Sequence, residues 1–464
     1  MTKNILISAN RVATGWWTPR LAGPVIAAVV VRLVMLAVSL ARMGTRALIV
    51  ADTSSYLIPG RNLLLHGRFA ADGVPDLLRT PGYSLFLAIT SVAGLPAAAV
   101  VNVILSVISV ILVWKLGRAV FTDPNIALGA AWLFAFEPGS VSSSVILMSE
   151  SLFLVFFLLS MERLTEFLRG RRLPVLAVAG LWLAAATYVR PVTYFLPVAL
   201  ALGLFLVLRR VPGLRWKAPA VLLISVMPWL AAWQIRNWVE TGYRGFSSVR
   251  EANLYFLVAA DVTVRIEHRR WVSAELGYGD FTNNSGQTYL FQPYLALHPE
   301  QAQWNQAQRL AYLHSEAMRI IQAHFGVYMR SCLVGGFKIL SFPATYNLAR
   351  PVDQKPLTYA EAITENSPAG WRFKIARIWP NPWQVVEHAI FGLLLLGLYL
   401  FAARGLFCGG VHAACLWLLL GTSLYFLAVS AAMMGPLPQT RLRLPVMPLV
   451  CILAAAGFRR TKTI

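Results

Sequence analysis

The stretch ADTSSYLIPGRNLLLHGRFAADGVPDLLRTPGYSLF, residues 51–86, follows directly on an apolar run and is followed by many more. It places Asp52, Arg61, Arg68, Asp72, Asp76 and Arg79 between the first two hydrophobic segments. Charge at this place needs a reason, because the rest of the chain avoids it. Of 464 residues, 57% are hydrophobic and 13% charged, where a soluble domain carries about 25% charged residues. The composition is that of an all-α polytopic membrane protein, and the stretch is its first loop.

The formal charge of +21 arises from 41 Lys and Arg against 20 Asp and Glu. Lys115 and Arg118 mark one short basic loop between apolar runs. Arg163, Arg169, Arg171 and Arg172 mark a second, and Arg209, Arg210, Arg215 and Lys217 a third. Basic loops of this kind retain the cytoplasmic side, and their charge is accounted for by topology and anionic head groups. Nucleic acid is excluded as a partner. The basic loops alternate with loops poor in Lys and Arg near 137–150 and 189–192. This pattern predicts a cytoplasmic N-terminus and an outward-facing first loop. Cys332, Cys408, Cys415 and Cys451 form no CxxC pair, and three of them lie in or beside apolar runs. They predict packing, with no disulfide framework and no metal site.

Lys3, Arg11 and Arg20 precede an apolar run over 21–41 with no small-residue cleavage site after it. That run predicts a first transmembrane helix rather than a removed signal peptide. Trp16 and Trp17 stand where an interfacial aromatic belt would be. Arg32, near the middle of the helix, should face the bundle interior or a polar cavity. Further apolar runs fall near 83–95, 97–116, 126–145, 147–163, 173–188, 192–208 and 218–236, and helices near 386–403, 411–431 and 444–458 close the chain. The run over 83–95 is short enough to be the tip of a longer or re-entrant element. Three units follow: a transmembrane bundle over 1–236 that includes an outer loop at 43–82, an outer domain over 237–385, and C-terminal helices over 386–464. In the outer domain, 301–322 has apolar residues at helical spacing, and 325–343 is expected as an interfacial helix. With that helix interfacial, the C-terminus is cytoplasmic. No internal repeat is present.

In the first loop, the segment TSSYLIPGRNLLLHG predicts a short helix ending at Gly67. Asp52 stands where it could simply cap that helix, and Arg79 where it could be an interfacial cation beside the Pro81–Gly82 turn. Taken together in order, however, these residues form a pattern. Asp52-Thr-Ser-Ser-Tyr56, Gly67-Arg68-Phe69 and Arg79-Thr-Pro-Gly-Tyr83-Ser-Leu-Phe-Leu-Ala88 are followed by MSESLF at 148–153, YVRPVTYFLP at 188–197 and RLRLPVMPL at 441–449. The set resembles integral-membrane glycosyltransferases of the GT-C superfamily, in the branch of protein O-mannosyltransferases and lipid A aminoarabinose transferases. The outer domain adds only a loose match at Arg236, Asn237, Gly242 and Asn253.

The resemblance implies a GT-C-like bundle of about 10–12 transmembrane helices with a mixed outer, periplasmic domain. It also implies a bacterial inner-membrane enzyme that takes a sugar from a polyprenyl-phosphate donor entering from the membrane. The acceptor would be a glycan, lipid or protein of the cell envelope, such as a lipopolysaccharide core. The family's acidic residue maps onto Asp52 and its basic residue before the proline turn onto Arg79. Two departures stand out. Thr53 occupies the place of a second acid, and the PGY turn replaces the double proline of the aminoarabinose enzymes, so their substrate is not carried over.

Transfer from a lipid phosphate needs a base for the acceptor hydroxyl and a cation for the leaving phosphate. Asp52 fits the base. Arg79 fits the phosphate, with Arg441 and Arg443 as helpers, although membrane-edge snorkelling explains that last pair as well. Glu150 fits either an acceptor contact or a buried pair with Arg190. Tyr56 and Tyr83 fit sugar stacking or an interfacial belt, and Asn253 a place over the cavity. No cofactor and no metal ligand cluster is indicated, with a divalent cation left open. A lipid or glycan transporter and an O-antigen polymerase or ligase are the competing readings. A transporter would show paired repeats and broken helices in both halves.

Overall fold

A computed structural model of the chain describes residues 18–267, 295–342, 382–435 and 440–459. Trp16, Trp17 and the parts of the expected outer domain at 268–294 and 343–381 lie outside the described residues. The protein is an all-α polytopic membrane protein. In chain order, α1 is Ala22–Met43, α2 Ala51–His66, α3 Pro81–Thr90, α4 Leu95–Val120, α5 Pro124–Ala135, α6 Pro138–Val145, α7 Glu150–Gly170, α8 Leu173–Val189, α9 Leu196–Val207 and α10 Leu214–Thr241. A short α11 (Val249–Asn253), a π-helical turn (Leu254–Ala259) and α12 (Ala260–Ile266) follow. Then come α13 (Gln306–Ala323), α14 (Phe325–Ser341), α15 (Pro382–Gly405), α16 (Ala413–Met434) and α17 (Met447–Gly457). Among the described residues, the sole paired strands are β1 (Ala70–Ala71) and β2 (Val74–Pro75) in the first loop.

Among the described residues, four stretches are long and apolar enough to cross a membrane: Pro19–Leu48, Leu95–Val120, Leu214–Thr241 and Ala413–Met434. Large apolar side chains such as Ile26, Ile224, Trp417 and Leu424 point outward from them, which suits hydrocarbon rather than water. The core gathers around α4, α5, α7, α8 and α17. Close helix approach relies on small residues, as between membrane helices generally. At the α15–α17 crossing, a Cβ on Gly405 would stand 1.9 Å from the Leu453 carbonyl oxygen, and one on Gly457 equally near that of Phe401.

The apolar run at 126–145 is not one helix. It breaks into α5 and α6 because Pro138 cannot supply the amide that would continue α5. Glu137 caps the new start, its carboxylate accepting from the Ser140 amide at 2.5 Å. Arg32 crosses from α1 to fill the gap. It is fully buried and donates to the Ala135 carbonyl at 2.9 Å, to Ser106 Oγ at 2.7 Å and to Ser140 Oγ at 2.9 Å. The expectation that Arg32 faces the bundle interior is met, and its partners are neutral oxygens. The run near 83–95 is α3 plus a single 3-10 turn at Ser91–Ala93, and α4 starts directly after Gly94.

Helix α14 packs along α16. Gly336 faces Ala431, and Ser331 faces Gly435 at the end of α16. The two helices are therefore antiparallel, and the far end of α14 reaches down alongside α16. Phe325, Met329, Leu333 and Phe337 form an outward apolar stripe along it.

Candidate active site

The first loop folds as the spacing predicts. Helix α2 ends at Gly67, whose φ of 67° is the left-handed cap that glycine adopts without strain. Asp52, however, does not cap it. The helix begins after Val50, and Thr53 Oγ1 accepts from the Val50 amide at 3.0 Å while donating to the Leu147 carbonyl at 3.2 Å. Thr53 thus does half the work of a capping box, which gives the residue in place of a second acid a structural role. Asp52 is left in the first turn with its side chain available for other partners.

The return of the loop is pinned from several sides. Arg236, at the end of α10, donates to the carbonyls of Phe69 at 2.6 Å and Asp76 at 3.1 Å, and its guanidinium lies over Trp233 at 4.9 Å. Ser247 Oγ donates to the Leu78 carbonyl at 2.7 Å and the Ser248 amide to that of Leu77 at 2.8 Å. Asp76 Oδ1 accepts from the Arg79 amide at 2.9 Å. Pro81 then opens α3, and Gly82 lets its backbone press on the end of α8, where a Cβ would meet the Tyr188 carbonyl oxygen at 2.6 Å. This contact is the physical reason for glycine in the PGY turn.

These constraints aim Arg79 at Asp52. Arg79 Nη2 donates to Asp52 Oδ1 at 2.8 Å, Nε to Ser55 Oγ at 2.8 Å and Nη1 to Tyr56 Oη at 3.1 Å. Its guanidinium also covers the Tyr56 ring at 4.2 Å. From the far end of the chain, Arg441 Nη1 reaches Asp52 Oδ2 at 3.1 Å and lies 4.0 Å from Glu150 Oε1. Arg190, just past α8, donates to the same Glu150 oxygen at 2.5 Å. The result is an alternating line of charge, Arg79–Asp52–Arg441–Glu150–Arg190, with three cations to two anions. Glu150 opens α7, and its buried Oε2 takes no hydrogen bond from the side chains and backbone of the described residues.

Burial alone would push the Asp52 carboxyl up. The charges of Arg79 and Arg441 and their hydrogen bonds outweigh it and hold the group well below the usual carboxylate range. Arg441 is pushed the other way: burial lowers it, and the charges of Asp52, Glu150 and Tyr56 raise it above the ordinary guanidinium value.

The structure brings Asp52, Tyr56, Arg79, Glu150, Arg190 and Arg441 together. Tyr83 is fully buried and meets Tyr56 edge-on at 5.0 Å, so it backs the cluster instead of lining it. Arg443 is turned elsewhere: its Nη1 donates to the carbonyls of Ile339, Leu340 and Phe342 at 3.1, 2.9 and 2.9 Å. It caps the end of α14 and does not join the charged line. Asn253 donates to Met434 Sδ at 3.6 Å and does not join the charged line. Ser55 was missed, yet the signal was there: one helical turn separates it from Asp52, on the face that also carries Tyr56. Among the described residues, no group of three or more His, Cys, Asp or Glu side chains could hold a metal ion.

The family model described as dolichyl-phosphate-mannose-protein mannosyltransferase matches residues 83–233. No curated protein matches the chain. Among solved structures, the apo oligosaccharyltransferase of Archaeoglobus fulgidus is 15% identical, with a TM-score of 0.48, over 96% of this chain and 50% of that one. AglB from the same archaeon, solved with an inhibitory peptide and a dolichol-phosphate, is 13% identical with a TM-score of 0.46, over 94% of this chain and 50% of that one. ArnT from Cupriavidus metallidurans is 13% identical with a TM-score of 0.38, over 94% of this chain and 77% of that one. The chain thus spans about half the length of the archaeal structures. The family match bears out the resemblance of this chain to the integral-membrane glycosyltransferases of the GT-C superfamily.

Proposed function

We propose that the protein moves a monosaccharide from a polyprenyl-phosphate-linked donor to a hydroxyl of a cell-envelope acceptor. The reaction takes place at the outer face of a bacterial inner membrane, with both termini cytoplasmic. The observation that carries this reading is the charged line itself. Three arginines converge on two carboxylates at one end of an apolar bundle, an excess of positive charge that suits an anionic head group. The matching family model is named for a dolichyl-phosphate-mannose donor, a lipid-phosphate-linked hexose of the kind proposed.

In the reaction, the acceptor oxygen attacks the anomeric carbon as the bond from that carbon to the phosphate oxygen breaks. The electron pair of the broken bond leaves with the lipid phosphate, where guanidinium groups meet the developing charge. The hydroxyl proton passes to Asp52 as the new bond forms. A single displacement inverts the anomeric centre. Glu150 Oε2, buried and without a hydrogen bond among the described residues, suits a sugar or acceptor hydroxyl, since buried polar atoms generally have partners.

Native mass spectrometry of gently purified protein tests the donor. A bound prenyl phosphate, with or without a sugar, is the expected result. Ordinary phospholipid alone, together with sugar transfer by Asp52→Asn at the normal rate, would overturn the reading. The expected loss in that variant is about 10²–10⁴-fold. Substrate-dependent transport in proteoliposomes without any transfer would make the protein a transporter.

A further inference from the structure

The two arginines on Asp52 are not equivalent. Each of the three guanidinium nitrogens of Arg79 is committed, to Ser55, Tyr56 and Asp52. Its plane rests on the Tyr56 ring, its amide is tied to Asp76, and its side chain is 15% exposed. Arg441 is 32% exposed. Its bond to Asp52, at 3.1 Å, is longer than the 2.8 Å bond from Arg79 and lies outside the usual range of about 2.7–2.9 Å for charge-assisted bonds. It also stands between two carboxylates, with Glu150 at 4.0 Å.

A carboxylate with both oxygens on guanidinium groups is a poor base, because the proton it must accept competes with two cations. A phosphate competes for the same cations. Resting on the proposed function, we propose that Arg79 is a fixed positioning residue for Asp52 and that Arg441 is the exchanging one, passing from Asp52 Oδ2 to the donor phosphate. The exchange frees Oδ2 for the acceptor proton at the place and moment that it is needed. The donor, a phosphodiester, carries one negative charge, and the leaving lipid phosphate gains a second as its bond to the anomeric carbon breaks. The pull on Arg441 therefore grows along the reaction, and Asp52 becomes more basic as the hydroxyl proton loosens. Donor binding and base strength are then coupled through one side chain, without a moving domain.

Coupling of this kind is reciprocal: if phosphate draws Arg441 from Asp52, then Asp52 holds Arg441 from phosphate. The test measures binding of farnesyl phosphate, a prenyl monophosphate, to the full-length protein in nanodiscs. Wild type, Asp52→Asn, Arg79→Ala, Arg441→Ala and the two double variants with Asp52→Asn are compared. Asp52→Asn should bind about tenfold more tightly than wild type, the worth of one charge-assisted hydrogen bond. That gain should persist in the Arg79→Ala background and vanish in the Arg441→Ala background. An equal gain in both backgrounds would mean general repulsion between Asp52 and phosphate and would overturn the exchange. So would no gain, or a gain that depends on Arg79. Inorganic phosphate, tested beside the lipid, separates the head group from the chain: the pattern should repeat with phosphate if the exchange is a head-group effect, and a pattern seen with the lipid alone would overturn it. Wild type that binds no farnesyl phosphate would sink the donor assignment and this inference together. Wild type that binds it, with no gain in Asp52→Asn, would sink only the inference. Should Asp52→Asn fail to fold, as judged by size exclusion and thermal unfolding, Asp52→Ser gives the same reading.

Discussion

Arginine does two different jobs in this molecule, and the contrast between the bundle interior and the charged line separates them. In the interior, Arg32 and Arg443 are buried and hydrogen-bond to neutral oxygens, with the buried Glu137 carboxylate as a nearby countercharge to both. Arg32 fills the break between α5 and α6, and Arg443 gathers the last carbonyls of α14. Each replaces amides that a broken or ended helix cannot supply. At the charged line, Arg79, Arg190 and Arg441 meet carboxylates and retain some exposure. Arg441 and Arg443 are two residues apart in one motif, yet they fall on opposite sides of this division. A motif letter therefore fixes the residue type but not the partner.

The largest effect expected from the interior group is in Arg32→Ala. It strips the donor from the Ala135 carbonyl and two serine hydroxyls, at a cost of about 2–4 kcal/mol. The melting temperature in detergent should fall markedly, while the folded fraction binds farnesyl phosphate as wild type does. A loss of affinity without a loss of stability would erase the contrast. A smaller effect, about 1–3 kcal/mol, is expected for Arg443→Ala, again in stability and not in affinity. Paired with Arg441→Ala, it asks whether two neighbouring arginines can be separated by their readouts alone.

The smallest shift, and the sharpest, concerns pH. Asp52 is held below the ordinary carboxylate range by burial-opposing charges from Arg79 and Arg441. A base is lost as pH falls through its pKa, so the acid limb of kcat/KM in wild type should lie below the ordinary carboxylate value of about 4. Removing one cation in Arg79→Ala lets burial count for more, and the limb should move up toward the ordinary carboxylate range. Arg79→Lys keeps a charge nearby and should move it less. An unmoved limb in Arg79→Ala would show that Arg79 acts only on the fold.

Much of the fold was legible in the chain. The apolar runs, the helix ending at Gly67 and the inward-facing Arg32 follow from hydropathy, glycine stereochemistry and the cost of a charge in hydrocarbon. Asp52, Tyr56, Arg79, Glu150, Arg190 and Arg441 were each singled out, and they do meet. What misled was local reasoning about partners. Asp52 could be taken for a cap because aspartate caps helices well, but the helix starts at Ala51 and puts Asp52 inside its first turn. Arg443 was grouped with Arg441 because the motif repeats the residue. Glu137 and Pro138 sit inside an apolar run that hides the break between α5 and α6.

By itself, then, the sequence determined that this chain is a helical membrane protein with an unusual concentration of charge after its first span. Periodicity, loop charge and the penalty for unpaired polar groups in lipid are properties of short segments, so they can be read along the chain. Only the tertiary structure decided that residue 441 would close on residue 52 and residue 443 would not. Which oxygen a guanidinium finds depends on where distant helices end, and that is set by packing contacts such as Gly82 on the end of α8 and Gly336 on α16.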